Sequence, residues 1–129
     1  MTSKPITKNI HGLIDYAYGI TLPVLPQMIG FKNDKVAKVL FRGIGGVVLG
    51  YSAVTKAKWG LFRLLPFKAH LAIDLGINCA AIAAPWLLGF SRDKKARNTV
   101  IIAGCLGLAA TLLTDPNPQH EKGQQYLFI

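Results

Sequence analysis

The sequence predicts an all-α integral membrane protein: a four-helix bundle made of two tandem helical-hairpin repeats, related by a pseudo-two-fold axis along the membrane normal. Three observations carry that expectation. Long stretches of the chain are free of charge. The two halves align on each other at a constant offset. Each half contains a helix stop followed closely by a helix start.

At 129 residues the chain suits a single domain. Only 16% of its residues are charged and its mean hydropathy is +0.35, whereas a soluble domain is about 25% charged. No charge appears between Asp15 and Lys32, from Leu75 to Ser91, or from Asn98 to Thr114. A bilayer core needs about 20 residues of helix, and helices over residues 10–30, 68–89 and 97–114 reach or approach that length. A fourth, around residues 43–55, spans if Lys38 and Arg42 extend their long stems outward. These segments lack the polar stripe of a solvated bundle.

Sliding the chain by 59 positions superimposes the halves. His11 falls on His70, Ile14 on Ile73, Asp15 on Asp74 and Pro26 on Pro85. Gly30 and Phe31 fall on Gly89 and Phe90, and the match runs through Asp34/Asp93, Lys35/Lys94, Ala37/Ala96, Gly45/Gly104 and Leu49/Leu108 to Thr55/Thr114. These are twelve identities over 45 ungapped positions, and an internal repeat of this order fixes architecture. Repeat 1 covers about 10–55, an interfacial linker 56–67, repeat 2 about 68–114, and a tail 115–129.

Within each repeat, Gly30 and Gly89 are placed to end the first helix, because glycine takes the left-handed cap conformation cheaply. Asp34 and Asp93 are placed to cap the second helix by accepting bonds from its free N–H groups. Pro26 and Pro85 fall in the last turns of their helices, where neighbours in a membrane bundle satisfy the freed carbonyl. The second helices hold small residues at helical spacing, Gly46 and Gly50 in one and Ala103, Gly107 and Thr111 in the other. That spacing suits close packing within the chain in preference to a homo-oligomer interface. Trp59, Phe62 and Phe67 in the linker, and Phe31, Trp86 and Phe90 at the other end, are expected at the two membrane interfaces. The hairpin tips carry eight basic residues against seven on the other side, so the positive-inside rule only weakly favours cytoplasmic tips. The closing Tyr126–Ile129 is expected on the membrane surface or against the linker, and His120 in solvent.

The net charge of +9 lies at helix ends and connections, with no nucleic-acid motif beside it. Anionic lipid headgroups are the expected partners. Cys79 and Cys105 sit in apolar helices without CxxC spacing and are expected as buried structural thiols. The polar start "MTSKPITKN" is not a cleaved leader pattern.

The sequence "HGLIDYAYGI" keeps a histidine and a carboxylate four residues apart in an apolar segment, and "HLAIDLGINC" repeats them. Residues i and i+4 share one helix face. Two readings follow. In the first, favoured by the sequence, His11, Asp15, His70 and Asp74 hold helices in register as polar contacts. In the second, the symmetry axis gathers two imidazoles and two carboxylates into a site for a divalent metal or a proton relay. Axial haem ligation by the two histidines fits less well. No nucleophile elbow, HExxH, P-loop or dinucleotide turn is present, and an enzyme would have to rely on the His–Asp pairs alone. The expectation is a non-enzymatic, envelope-associated membrane protein, with the ion-binding or transport module as its alternative.

The stretch "APWLLGFS", Ala84 to Ser91, resembles the signature of the SPW-repeat family of small bacterial integral membrane proteins. That family pattern runs H-x3-D, Ser-Pro-Trp, then Gly-Phe. The approach "LPFKAHLAID" supplies matching Pro66, His70 and Asp74. The chain departs from the pattern in having Ala84 for serine, Leu25-Pro26-Gln27 in the first repeat, and "TKAK" where the family has Thr-x-Tyr-Glu. The resemblance implies a four-helix membrane protein of bacteria, and the expectation is a multi-pass protein of the inner membrane with Pro26, Gly30, Pro85, Trp86 and Gly89 as structural positions. The resemblance implies no activity.

Overall fold

Thr7 opens the first helix: its hydroxyl accepts the Ile10 N–H at 3.2 Å. The computed structural model describes residues 4–56 and 60–116, and over these the chain is helical apart from turns and two isolated β-bridges. Lys58, Trp59, His120 and the Tyr126–Ile129 end lie outside the described residues.

Helix α1 covers Lys8–Thr21. A 3₁₀ turn, Leu22–Val24, joins it to α2, Leu25–Ile29. The single helix expected over residues 10–30 is therefore broken. Pro23 and Pro26 both lack an N–H, and each ring crowds the carbonyl four residues back, so the chain tightens between them. Gly30, at φ 98°, ends α2, and the Phe31 N–H reaches back to the Pro26 carbonyl at 2.9 Å. Asp34 then caps α3, Lys35–Ala53, by accepting from Ala37 N.

The second half repeats these devices. Helix α4 covers Phe67–Leu87 with Pro85 in its last turn. Gly89 has φ 81°, and Phe90 N–H reaches the Pro85 carbonyl at 2.9 Å. Asp93 caps α5, Lys94–Leu112, as its place in the sequence predicts, so the helix begins ahead of the apolar segment 97–114. The Asp93 cap sets that boundary, and Lys94 and Lys95 remain exposed in the first turn.

The apolar core lies toward the hairpin tips, built from Leu22, Phe31, Phe41, Ala81, Phe90, Val100 and their neighbours. Phe31 and Phe90 were expected at the lipid interface. They are instead buried, and the Phe31 and Phe41 rings lie 5.1 Å apart. The residue following a left-handed cap folds its side chain back over the helix, and both phenylalanines hold that position. Of the three tip aromatics only Trp86 points outward.

Close helix approach occurs at Gly45, not at Gly46 and Gly50. A Cβ on Gly45 would lie 2.6 Å from Pro23 Cγ and 2.7 Å from the Gly19 carbonyl, whereas one on Gly46 or Gly50 would meet nothing within 4 Å. The expected inward packing of the Gly46–Gly50 pair is thus corrected: both face outward. In α5, Ala103 and Thr111 do face the interior. The cysteines are corrected as well. Cys79 and Cys105 are exposed free thiols, because adjacent Asn78 and Gly104 take the inward positions.

The chain entry to each hairpin pairs with the exit of the other. Ile6 bridges Thr114, with Ile6 N donating to Leu113 O and Asp115 N to Ile6 O. Leu65 bridges Thr55, with Leu65 N donating to Val54 O and Lys56 N to Leu65 O. Each of these partners is 59 positions from its counterpart. Helices α3 and α4, at mean hydropathy 1.3, are long and apolar enough to cross a membrane.

Candidate metal centre

The helix starts bring four ionisable side chains to one point. His11 and Asp15 sit in the first two turns of α1, and His70 and Asp74 in the first two turns of α4. All four are buried. Their closest contacts are crosswise. His11 Nε2 lies 2.8 Å from Asp74 Oδ2, and His70 Nε2 lies 2.6 Å from Asp15 Oδ2. The contacts within each helix are longer, 3.2 Å for His11–Asp15 and 3.3 Å for His70–Asp74. One ligand atom from each residue fits within 4.8 Å of all the others.

The outer nitrogens are fixed by threonines from the far ends of α3 and α5. His11 Nδ1 lies 2.7 Å from Thr114 Oγ1, and His70 Nδ1 lies 2.7 Å from Thr55 Oγ1. Each threonine hydroxyl is already committed as donor, Thr114 to Ala110 O and Thr55 to Tyr51 O. A hydroxyl has one proton to give, so each threonine oxygen accepts from an imidazole Nδ1–H. The proton on Nδ1 leaves Nε2 as the nitrogen that faces the carboxylates. Metal-binding histidines are held in the same way, with the second N–H given to a fixed acceptor.

Phe67 closes the centre from outside. Its ring stacks on His70 at 5.7 Å and meets His11 edge-on at 5.7 Å, with Lys8 Nζ 5.4 Å above its centroid. This corrects the expected placement of Phe67 in the headgroup region: it is 7% exposed. Tyr51 donates its hydroxyl to Asp74 Oδ1, and Ser52 makes a longer 3.5 Å bond to Asp15 Oδ2.

All four candidate ligands therefore converge. Pro26, Gly30, Pro85 and Gly89 lie at the opposite end and shape the hairpin tips, where Trp86 points outward. The sequence reasoning did not assign Thr55, Thr114, Tyr51 or Phe67 to the site. The threonines carried a signal, since they are an identical pair in the repeat alignment. Tyr51 and Phe67 carried none.

The donor set is two imidazole nitrogens and two carboxylate oxygens, a combination that suits zinc and similar divalent ions. The carboxylates fill the space between the imidazoles, which fits a small ion and not a flat macrocycle.

Such a fold and site define a small all-helical protein with a buried, crosswise His–Asp centre. The SPW repeat domain model matches residues 9–114, and the chain belongs to that family. No curated protein and no solved structure matches the chain.

Proposed function

We propose that this chain is a multi-pass membrane protein, built as two hairpins about a pseudo-two-fold axis, whose His–Asp centre exchanges two protons for one divalent metal ion. The membrane reading rests on the family, on the two apolar helices, and on the outer faces. Val39, Val47, Leu87, Ile102, Leu106 and Leu112 are each more than half exposed. Lipid tails cover such residues without cost. The bacterial inner membrane is the location this reading assigns. The axis is supported by the equivalence, at an offset of 59, of the caps, the bridges and the His–Thr and His–Asp contacts.

The observation that carries the ion-binding reading is the commitment of both Nδ1–H groups to threonine oxygens. With Nδ1 protonated, a second proton must occupy each Nε2–Oδ2 bridge. Otherwise a lone pair would face a carboxylate at 2.6–2.8 Å. Two bridging protons balance two carboxylates and leave the centre neutral. Remove them, and the centre carries two negative charges in a place where burial of charge is costly. One divalent ion restores neutrality and takes up all four freed lone pairs. Tetrahedral zinc at its usual bond lengths holds its ligands about 3.3 Å apart, so the crosswise pairs open slightly as the metal replaces the protons. Metal binding of this kind releases protons and strengthens as pH rises.

Bound metal tests the reading. Protein extracted from membranes and compared with a His11→Ala/His70→Ala variant is expected to hold one divalent ion per chain, lost in the variant. A metal-free protein that also takes up no zinc, with a variant that only melts earlier, leaves the four residues as helix-register contacts.

A further inference from the structure

The repeat is least faithful on one side of the centre, and a cavity lies there. Three large residues of α3 correspond to small ones of α5: Ile44 to Ala103, Val48 to Gly107 and Tyr51 to Ala110. Asn78 fills the space beside Gly107, and next to Ala103 and Ala110 lies a cavity of about 400 Å³ lined by α1, α3, α4 and α5. Its walls are mostly apolar, including Ile14, Leu22, Leu25, Ile77 and Leu106. At one end stand Asp15, Asp74, Tyr18, Tyr51 and Asn78. Small-molecule sites have this composition, an apolar body with a few converging polar groups.

The polar end asks for a donor. Tyr18 gives its hydroxyl proton to Ala103 O, 3.1 Å away, and also approaches Asn78 Oδ1. Asn78 Nδ2 donates to Asp74 O at 2.8 Å, and Tyr51 donates to Asp74 Oδ1. The two carboxylates differ in one respect. Asp74 uses both oxygens, one for His11 and one for Tyr51. Asp15 receives its bonds from His70 and Ser52 on Oδ2 alone, and among the described residues no hydrogen bond reaches its Oδ1. The Asp15 side chain is 10% exposed, and it lines the cavity. The residue that would supply its hydroxyl, at the position corresponding to Tyr51, is Ala110.

We infer that this cavity binds an apolar molecule with a phenolic hydroxyl, which donates to Asp15 Oδ1 as Tyr51 donates to Asp74. Three features of the site select that chemistry. The missing side chain is itself a phenol. The remaining hydrogen-bonding atoms at the polar end are chiefly acceptors. A neutral donor leaves the charge balance of the His–Asp centre intact, where an ammonium would disturb it. The inference stands apart from the metal, because Asp15 Oδ1 is free of the crosswise contacts whether protons or a divalent ion hold Oδ2.

The test uses the full chain in detergent micelles or lipid nanodiscs, with 4-propylphenol as probe and propylbenzene as its hydroxyl-free match. Binding is read by probe-observed NMR in the wild type and in Ala110→Tyr, which installs the missing phenol covalently. The expected result is saturable binding of 4-propylphenol, at least about tenfold tighter than propylbenzene, since a hydrogen bond to a charged acceptor is worth that much. Ala110→Tyr abolishes the saturable component, while zinc binding by the His–Asp centre persists. An Ala110→Phe variant fills the cavity without the hydroxyl and likewise loses the probe, but melts below Ala110→Tyr. Equal affinity for the two probes overturns the inference, as does 4-propylphenol binding that Ala110→Tyr leaves unchanged.

Discussion

His11 Nε2 lies 2.8 Å from Asp74 Oδ2, on another helix and 63 positions away, but 3.2 Å from Asp15 Oδ2 on the next turn of its own helix. The stronger pairing therefore runs between the two hairpins. A buried pair broken on one side leaves the other group uncompensated, so this arrangement ties the two hairpins together. Double-mutant cycles in detergent separate the two contacts. The His11→Ala/Asp74→Ala cycle is expected to give a coupling of about 1–3 kcal/mol, and the His11→Ala/Asp15→Ala cycle clearly less. Larger coupling within the helix contradicts the crosswise assignment.

Thr55 and Thr114 are expected to act through the histidines they hold. Thr114→Val removes the acceptor for His11 Nδ1–H and leaves a buried donor without a partner, a loss of about 1–3 kcal/mol. Zinc affinity falls by about 10- to 100-fold, the usual effect of removing a group that orients a ligand. Thr114→Ser keeps the hydroxyl and restores most of both. Thr55→Val acts the same way through His70. Chemical denaturation and zinc titration of the four proteins check the set.

Gly45 and Gly46 are neighbours with opposite expectations. A methyl group on Gly45 meets Pro23 at 2.6 Å and the Gly19 carbonyl at 2.7 Å, and Gly45→Ala is expected to destabilise by about 1–3 kcal/mol through overpacking. Gly46→Ala meets nothing and is expected to be neutral or to stabilise by up to about 1 kcal/mol from helix propensity. Thermal melts of the two variants distinguish this packing from a Gly46–Gly50 contact inside the chain, which reverses the order.

The architecture was legible where it depends on backbone chemistry repeated at an offset of 59. Gly30 and Gly89 as left-handed caps, and Asp34 and Asp93 as N-caps, are fixed by local conformation and need no tertiary information. The convergence of His11, Asp15, His70 and Asp74 was legible because duplication in register implied an axis. Facing was not legible. Cys79 and Cys105 turn outward because of which helix neighbour comes closest, and apolar sequence on all sides of a helix leaves that undetermined; Phe31 and Phe90 turn inward because each follows a left-handed glycine cap. The break in the first helix follows from Pro23 and Pro26 together, local backbone chemistry that the sequence already displayed. Phe67 sits among basic and aromatic residues that suggest an interface, and only the fold shows it stacked on His70.

The two exposed cysteines report on the surroundings of the bundle. Cysteine reacts as its thiolate, which requires water. In sealed membrane vesicles Cys79 and Cys105 are expected to resist a water-soluble maleimide and to react with it once the protein is unfolded in detergent. Prompt labelling of both by the water-soluble reagent, with the vesicles intact, contradicts a lipid-facing position for α4 and α5.

The exchange of two protons for one metal ion is most directly tested by counting protons. Zinc is titrated calorimetrically into the metal-free protein in two buffers of different ionisation enthalpy, alongside the His11→Ala/His70→Ala variant. The predicted result is about two protons released per zinc bound, an apparent Kd that falls about 100-fold per unit rise in pH while the bridges are protonated, and neither effect in the variant. Zinc binding without proton release, or binding that the variant retains, contradicts the account.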